Sequence, residues 1–396
     1  MTTQAAAAVT LRPLLEVTDL DVVLGRGWRA SHVLAGVNLS VWPGEIVGLV
    51  GETGSGKTTL ARTIVGLAKP RGGRVRFDGT DISRLRGPAL RNQRRTGHVQ
   101  LVFQDPLRSL DPDLTVGDIV GEGLRIRGGL SGADIDARVV DALAKVGLPA
   151  ALRHRQPGQI SGGQRQRVSI ARALAAGPKL LLCDEPVSAL DASNRNYILR
   201  LLAGLRDSLG LPIVIISHDL SSLAGIADRV VVLYRGHIVE DGPVDQVFTR
   251  PRHPYTALLM ASAPRVERPS VRQSSVGQPG AQRNGAGADD ELSVHQLRRT
   301  AADPEPPPGP GACVFAARCP FAVAACAVQP ALEEPPPDEP APATPAVTSS
   351  VTPAGRRTAA CHRQREWPDL ARARPAVPER RAVPQAAVPR AAGAGR

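Results

Sequence analysis

The stretch GETGSGKTT, Gly51 to Thr59, limits what this chain can fold into more than any other. It follows an apolar run, EIVGLV, that reads as a buried strand, and it opens a segment with helical spacing. Gly51, Gly56, Lys57 and Thr58 occupy the fixed places of G-x-x-x-x-G-K-[ST]; Glu52, Thr53, Gly54 and Ser55 lie between them and Thr59 follows. Glycines let successive backbone N–H groups curl around an anion, and the helix N-terminus adds positive potential. The spacing predicts Lys57 at the β- and γ-phosphates of a nucleotide and the Thr58 hydroxyl on Mg²⁺. Similar alternation runs from residue 14 to about 264. LVFQ, KLLLCDE, PIVIISH and RVVVLYRG are short and rich in Val, Ile and Leu, with helix-like segments between several of them. This predicts an α/β fold: a mixed sheet under helical cover.

KLLLCDEP ends an apolar strand in two carboxylates. Beside a phosphate-binding loop, Asp184 suits the Mg²⁺ coordination sphere, and Glu185 suits orienting or deprotonating a water. In ISGGQRQR, Ser161, Gly162, Gly163 and Gln164 open a helix that continues through VSIARALAA. That makes a second anion-binding helix N-terminus. One γ-phosphate does not need both, so the second is read as serving ATP bound to another subunit.

Together these motifs resemble those of ABC transporter ATPase subunits over residues 14 to about 264. The resemblance implies a P-loop NTPase of ABC type, a mixed sheet core with a helical subdomain at about 105–175. It implies that Gln104 in LVFQDP contacts Mg²⁺ and faces the membrane subunits. It makes Asp191 in SALD a residue of the ATP site and His218 in IISHD the sensor of the γ-phosphate. Trp28 stands where the family places an aromatic that stacks on adenine, for which a flat π face suffices. Thr58 for Ser, Ile160 for Leu and Val187 for Thr are departures, and Thr58 keeps its hydroxyl. Cys183, inside an apolar strand, reads as a small buried hydrophobe.

Beyond the main domain the composition changes. Residues 265–308 are polar and rich in Pro and Gly, the composition of a flexible linker. A second such stretch, EEPPPDEPAPATPAVTSS, lies inside the 309–365 module, and 366–396 read as a disordered tail. The module holds Cys313, Cys319, Cys326 and Cys361, four of the chain's five cysteines. No signal peptide or run of roughly 20 apolar residues is present, so the chain is expected in the cytosol, where cysteines serve metals or sit buried. Four thiolates suit iron–sulfur or Zn²⁺. The gaps, C-x5-C-x6-C and then a distant C-H, are wider than the pairs of zinc modules. The module is small and Pro-rich, so a metal centre would have to organise it.

ACVFAARCP is similar to the C-x-F-x-x-R-C-P module of oligopeptide/dipeptide importer ATPases, which also has a distant fourth cysteine. FQDPLRSLDPDLTVGD and RHPYTALLMASAP resemble further segments of that family. The resemblance implies a [4Fe–4S] cluster on the four cysteines, with Zn²⁺ as the alternative. It also implies two transmembrane permease subunits, a second ATPase subunit (identical or paralogous), a solute-binding protein acting through the complex, and a place on the cytoplasmic face of the membrane. A different class remains open: a nucleic-acid-associated ABC ATPase with a zinc module, nominally favoured by the formal charge of +12. Only four basic residues are lysine, however, a bias typical of codon usage, so no specific nucleic acid is expected. The stretch between Lys57 and Ser161 leaves room only for a transporter-like helical subdomain. An exporter ATPase would keep the catalysis but not the cysteine module.

Overall fold

The computed structural model describes residues 12–25, 27, 30–188, 190–262, 311–319, 321–333 and 357–362. Trp28, the expected linker at 265–308, the expected insertion after Glu333 and the expected tail at 366–396 lie outside the described residues. The chain begins with β1 (Leu15–Leu24) and β2 (Ser31–Val41), then β3 (Ile46–Val50) and α1 (Lys57–Ile64). Next come β4 (Gly72–Phe77), β5 (Thr80–Asp81), α2 (Gly87–Arg95) and β6 (Val99–Val102). A helical stretch follows: α3 (Pro106–Ser109), α4 (Val116–Arg127), α5 (Gly132–Lys145) and α6 (Gly162–Ala175). The remaining elements are β7 (Leu180–Asp184), α7 (Ala192–Leu209), β8 (Ile213–Ser217), β9 (Arg229–Tyr234), β10 (His237–Pro243), α8 (Val244–Thr249), α9 (Pro254–Ser262) and β11 (Thr358–Ala359).

One sheet runs in the order β11-β10-β9-β3-β8-β7-β6. The five strands from β9 to β6 are parallel, and β10 and β11 are antiparallel additions at one edge. Every residue of β3, β7 and β8 is buried, which is why these strands read as unbroken apolar runs. Alternate residues serve opposite faces. Leu181, Cys183, Ile213 and Ile215 meet the helical layer, where α4, α5 and α6 contribute Val120, Leu124, Leu143, Val168 and Ile170. Leu180, Leu182, Val214 and Ile216 meet the other layer, built on α1 and a second sheet.

That second sheet, β2-β1-β4-β5, is antiparallel, and the apolar runs did not announce it. Its strands bury one face only: Leu15, Val17, Leu20 and Val22 of β1 point inward while Asp19 and Asp21 do not. The alternation is interrupted by shifts of register between Val17 and Leu20 and between Leu20 and Val22. A strand of this kind has neither the continuous run nor the clean period that marks strands in a sequence.

The C-terminal cysteine segment is not a satellite. Val314, Phe315 and Phe321 are buried in the same apolar cluster as the helical layer. The Phe315 ring lies 5.5 Å from Tyr234 and 5.7 Å from Tyr255, centre to centre, with His253 also at 5.5 Å. The expectation that a metal centre alone would organise this segment is therefore incomplete, because it also shares the main core.

A largely buried cation ties the two sheets together, for Arg229 donates through Nη2 to the Ser40 carbonyl of β2 at 2.5 Å. Arg229 in β9 donates through Nε to Glu45 Oε1 (2.7 Å) and through Nη1 to both Asp241 carboxylate oxygens (2.8 Å each). Glu45, 2% exposed, also accepts from the Trp42 backbone N–H. Removing one partner of such a group leaves an uncompensated buried charge. Arg229→Ala should therefore lower stability by about 3–5 kcal/mol. Urea unfolding checks this; a midpoint equal to that of the parent chain would contradict it.

Candidate functional site

The phosphate-binding loop leaves β3 at Val50 and enters α1 at Lys57. Two of its glycines are required by space. A Cβ on Gly51 would stand 2.1 Å from the Leu233 carbonyl oxygen. Gly56 has φ of +110°, and a Cβ there would meet Val33 O at 2.9 Å and Leu34 Cδ2 at 2.7 Å. Lys57 Nζ donates to the carbonyls of Gly51 (2.7 Å) and Glu52 (2.8 Å), so the ammonium lies within the turn of the loop. Burial pushes its pKa down, against the pull of Glu185, Asp184 and Glu52. Ser55 Oγ is buried and has no hydrogen-bond partner among the described residues.

Three neighbouring parallel strands deliver the rest. β7 ends in Asp184, which is 4% exposed and accepts from the Thr58 hydroxyl at 3.2 Å. Burial pushes the Asp184 carboxyl up, and the bond from Thr58 opposes it. Glu185 follows with φ of +48°, an uncommon conformation for a side chain of this size and one that concentrates at functional sites. Gln104, beyond β6, donates through Nε2 to Glu185 Oε2 at 2.8 Å. His218, beyond β8, places Nδ1 3.2 Å from Glu185 Oε1. The Glu185 carboxylate is therefore held on both oxygens. These groups and the loop border one open cleft lined by Val33, Thr53, Gly54, Gly56, Lys57, Thr58, Thr59, Gln104, Glu185 and His218.

Ser161, Gly162, Gly163, Gln164 and Asp191 do not line this cleft. Ser161 caps α6 in a reciprocal box: its Oγ accepts from Gln164 N, and its own N–H donates to Gln164 Oε1 at 2.9 Å. Asp191 caps α7 by accepting from Asn194 N at 2.9 Å, and that backbone bond holds its carboxyl below the usual range. A Cβ on Gly163 would stand 2.7 Å from Asn194 Oδ1, so the two helix starts are neighbours. The structure thus gathers these residues at one place and the loop, Gln104, Asp184, Glu185 and His218 at another.

The four C-terminal cysteines also converge. Cys313, Cys319, Cys326 and Cys361 line one small cavity together with His253, Phe315, Phe321 and His362. Cys313 N–H donates to Cys326 O at 2.9 Å. The fourth cysteine arrives on a strap, 357–362, that adds β11 to the edge of β10 through Ala359 and Thr358. The strap is anchored by Arg357, which donates to the fully buried Glu240 at 2.8 Å and to Arg250 O. Glu240 also accepts from the backbone N–H groups of Arg252 and His253. Burial raises the Cys313 thiol pKa, as it does that of Cys183, which sits fully buried in β7 as expected. Among the described residues, no three His, Cys, Asp or Glu side chains are drawn together closely enough to hold a single metal ion.

Two residues that matter here were given no role by the sequence. Arg318 Nη1 lies 3.1 Å from each carboxylate oxygen of Glu52, and the Tyr255 hydroxyl accepts from Glu52 N at 2.7 Å. Arg318 is the arginine of the C-x-F-x-x-R-C-P pattern and Tyr255 the tyrosine of RHPYTALLMASAP, so both lie in segments that carry the family resemblance.

Among the described residues no helix is long and apolar enough to cross a membrane. The family model for ABC transporters matches residues 34–188, and the model for the oligopeptide/dipeptide transporter C-terminal region matches 239–326. The chain is 40% identical over 331 residues to the oligopeptide transport ATP-binding protein OppF of Salmonella typhimurium, covering 81% of this chain and 92% of that protein. Among solved structures it is similar to the ATP-binding cassette MJ0796, a dimer bound to ADP and phosphate, at 31% identity and a TM-score of 0.54, covering 58% of this chain and 98% of that one. The protein cbiO1 of Clostridium perfringens, part of the ABC transporter complex cbiONQ, matches at 31% identity and a TM-score of 0.54 over 60% of this chain and 90% of its own. The chain belongs to the ATP-hydrolysing, ATP-binding subunits of the oligopeptide/dipeptide ABC transporter family.

Proposed function

We propose that this chain drives uptake of peptides, or of a related small solute, by hydrolysing ATP in the cleft between its phosphate-binding loop and Glu185. The observation that carries the reading is the Glu185 carboxylate, held by Gln104 and His218 opposite Lys57 and Thr58. The residues present fit MgATP. The glycine cradle and the unpartnered Ser55 Oγ suit phosphate oxygens, and the oxygen donors of Thr58, Asp184 and Gln104 suit Mg²⁺. Bound there, Mg²⁺ would neutralise charge developing on the phosphate oxygens.

Glu185 orients a water and accepts its proton as the water oxygen bonds to the γ-phosphorus. The bond to the bridging oxygen breaks, and ADP and phosphate result. His218 fixes the carboxylate and contacts the γ-phosphate, while Lys57 steadies the β- and γ-oxygens. Ser161, Gly162, Gly163, Gln164 and Asp191 serve the ATP of a second ATPase subunit, identical or paralogous, closed head to tail on this one. Their absence from the chain's own cleft supports that arrangement. Trp28 is assigned to the adenine by resemblance alone. Closure would move two permease subunits at the cytoplasmic face of the membrane, with a solute-binding protein presenting the cargo. The match over 239–326 supports transport over the nucleic-acid alternative. The division into an ATPase domain (14–264, helical part about 105–175), linker (265–308), cysteine module (309–365) and tail (366–396) belongs to this proposal.

We also assign a [4Fe–4S] cluster to Cys313, Cys319, Cys326 and Cys361. Their common cavity supports it.

Glu185→Gln should lower steady-state ATPase activity by about 10²–10⁴-fold. The same variant should dimerise on adding ATP, read by size-exclusion chromatography with light scattering. Retained activity would sink the assignment of Glu185, and a monomer in ATP would sink the head-to-tail site. Anaerobically purified protein should contain about four irons and four sulfides per chain, both lost in Cys319→Ser. One zinc and no sulfide would replace the cluster with the zinc alternative.

A further inference from the structure

The loop residue Glu52 is held from three sides. Its N–H donates to Tyr255 Oη at 2.7 Å, its carbonyl accepts from Lys57 Nζ at 2.8 Å, and its carboxylate takes both contacts from Arg318 at 3.1 Å. Tyr255 is fully buried on α9, and Arg318 lies in the cysteine segment. The Arg318 guanidinium also stands over the rings of Tyr234 and Phe315, 5.8 and 5.7 Å from their centres. The rings of Tyr234, Tyr255 and Phe315 pack on one another, and Phe315 shares the cavity wall with all four cysteines. A continuous packed path therefore joins the cysteine cavity to the phosphate-binding loop, although the two are remote in sequence.

Electrostatics give this path a consequence. Glu52 puts a carboxylate into a loop that receives a polyanion. Unpaired, that charge opposes phosphate binding; paired with Arg318, its field is cancelled locally. The pair is only partly buried, with side-chain exposures of 24% for Arg318 and 43% for Glu52, so its effect is moderate.

We propose that Arg318 and Tyr255 are positioning residues for the phosphate-binding loop, and that the cysteine module sets the site's affinity for MgATP through them. This rests on the reading of the loop as the MgATP site. It does not depend on which metal the cysteines hold.

The test is equilibrium titration of the full chain with a non-hydrolysable MgATP analogue. Arg318→Ala should weaken binding by about three- to tenfold, the size of a partly exposed charge pair. Glu52→Gln alone should bind at least as tightly as the parent, and Arg318→Ala/Glu52→Gln should return to that level. A purely structural role for Arg318 would show no such rescue. Tyr255→Phe keeps the ring packing, removes only the acceptor for Glu52 N–H, and should weaken binding about two- to fivefold. Should Arg318→Ala fail to fold, Tyr255→Phe decides. Unchanged affinity in the folded variants, or a double variant as weak as Arg318→Ala, overturns the inference while leaving the ATP site intact. A parent chain that binds no analogue overturns the site reading and this inference together.

Discussion

The carboxyl ends of β3, β8, β7 and β6 lie side by side because these strands are parallel and hydrogen-bonded in that order. Adjacent strands stand about 4.8 Å apart, so whatever leaves each strand at that edge falls within reach of its neighbours. β3 releases the loop and Lys57, β8 releases His218, β7 releases Asp184 and Glu185, and β6 releases Gln104. The bonds from Thr58 to Asp184 and from Gln104 to Glu185 follow from this order. Burial of the sheet on both faces makes the arrangement rigid: shifting one strand by a single residue would turn its inward side chains to the wrong layer. Ligands bind at this edge in open α/β sheets for the same reason.

Much of this is legible in the sequence where chemistry and local structure coincide. The glycines of the loop are dictated by contacts that a Cβ would violate, so Gly51 and Gly56 announce the fold as well as the site. Asp184 and Glu185 are legible because a strand buried on both faces ends in two charges. Gln104 and His218 are not distinctive alone; resemblance makes them legible, and their shared hold on Glu185 emerges only when β6 and β8 flank β7. The antiparallel sheet escaped because its alternation is broken at the bulges of β1. The Arg318–Glu52 pair spans 266 positions and the Arg357–Glu240 pair 117, and no local periodicity encodes contacts of that range.

The cysteine segment shows how a short, Pro-rich stretch holds a defined place. Phe315 and Phe321 enter the core already formed by the helical layer, and β11 adds a strand to an edge that β10 would otherwise leave open. Aromatic packing and sheet addition place the four thiols around one space. Burial makes the Cys313 thiol resist ionisation, so a bound metal there would supply the positive charge that its thiolate requires.

The strap that carries Cys361 also fixes an order of assembly. A chain made from its N-terminus presents the phosphate-binding loop, Glu185 and His218 well before Arg357 and Cys361 leave the ribosome. The nucleotide cleft can therefore form while the cysteine cavity still lacks one wall, and Glu240 must wait for its guanidinium partner. A truncated product of interrupted translation would carry every residue that lines the cleft at the phosphate-binding loop, yet it would lack the last wall of the cysteine cavity. Completion of the cysteine site thus reports that synthesis has passed Cys361.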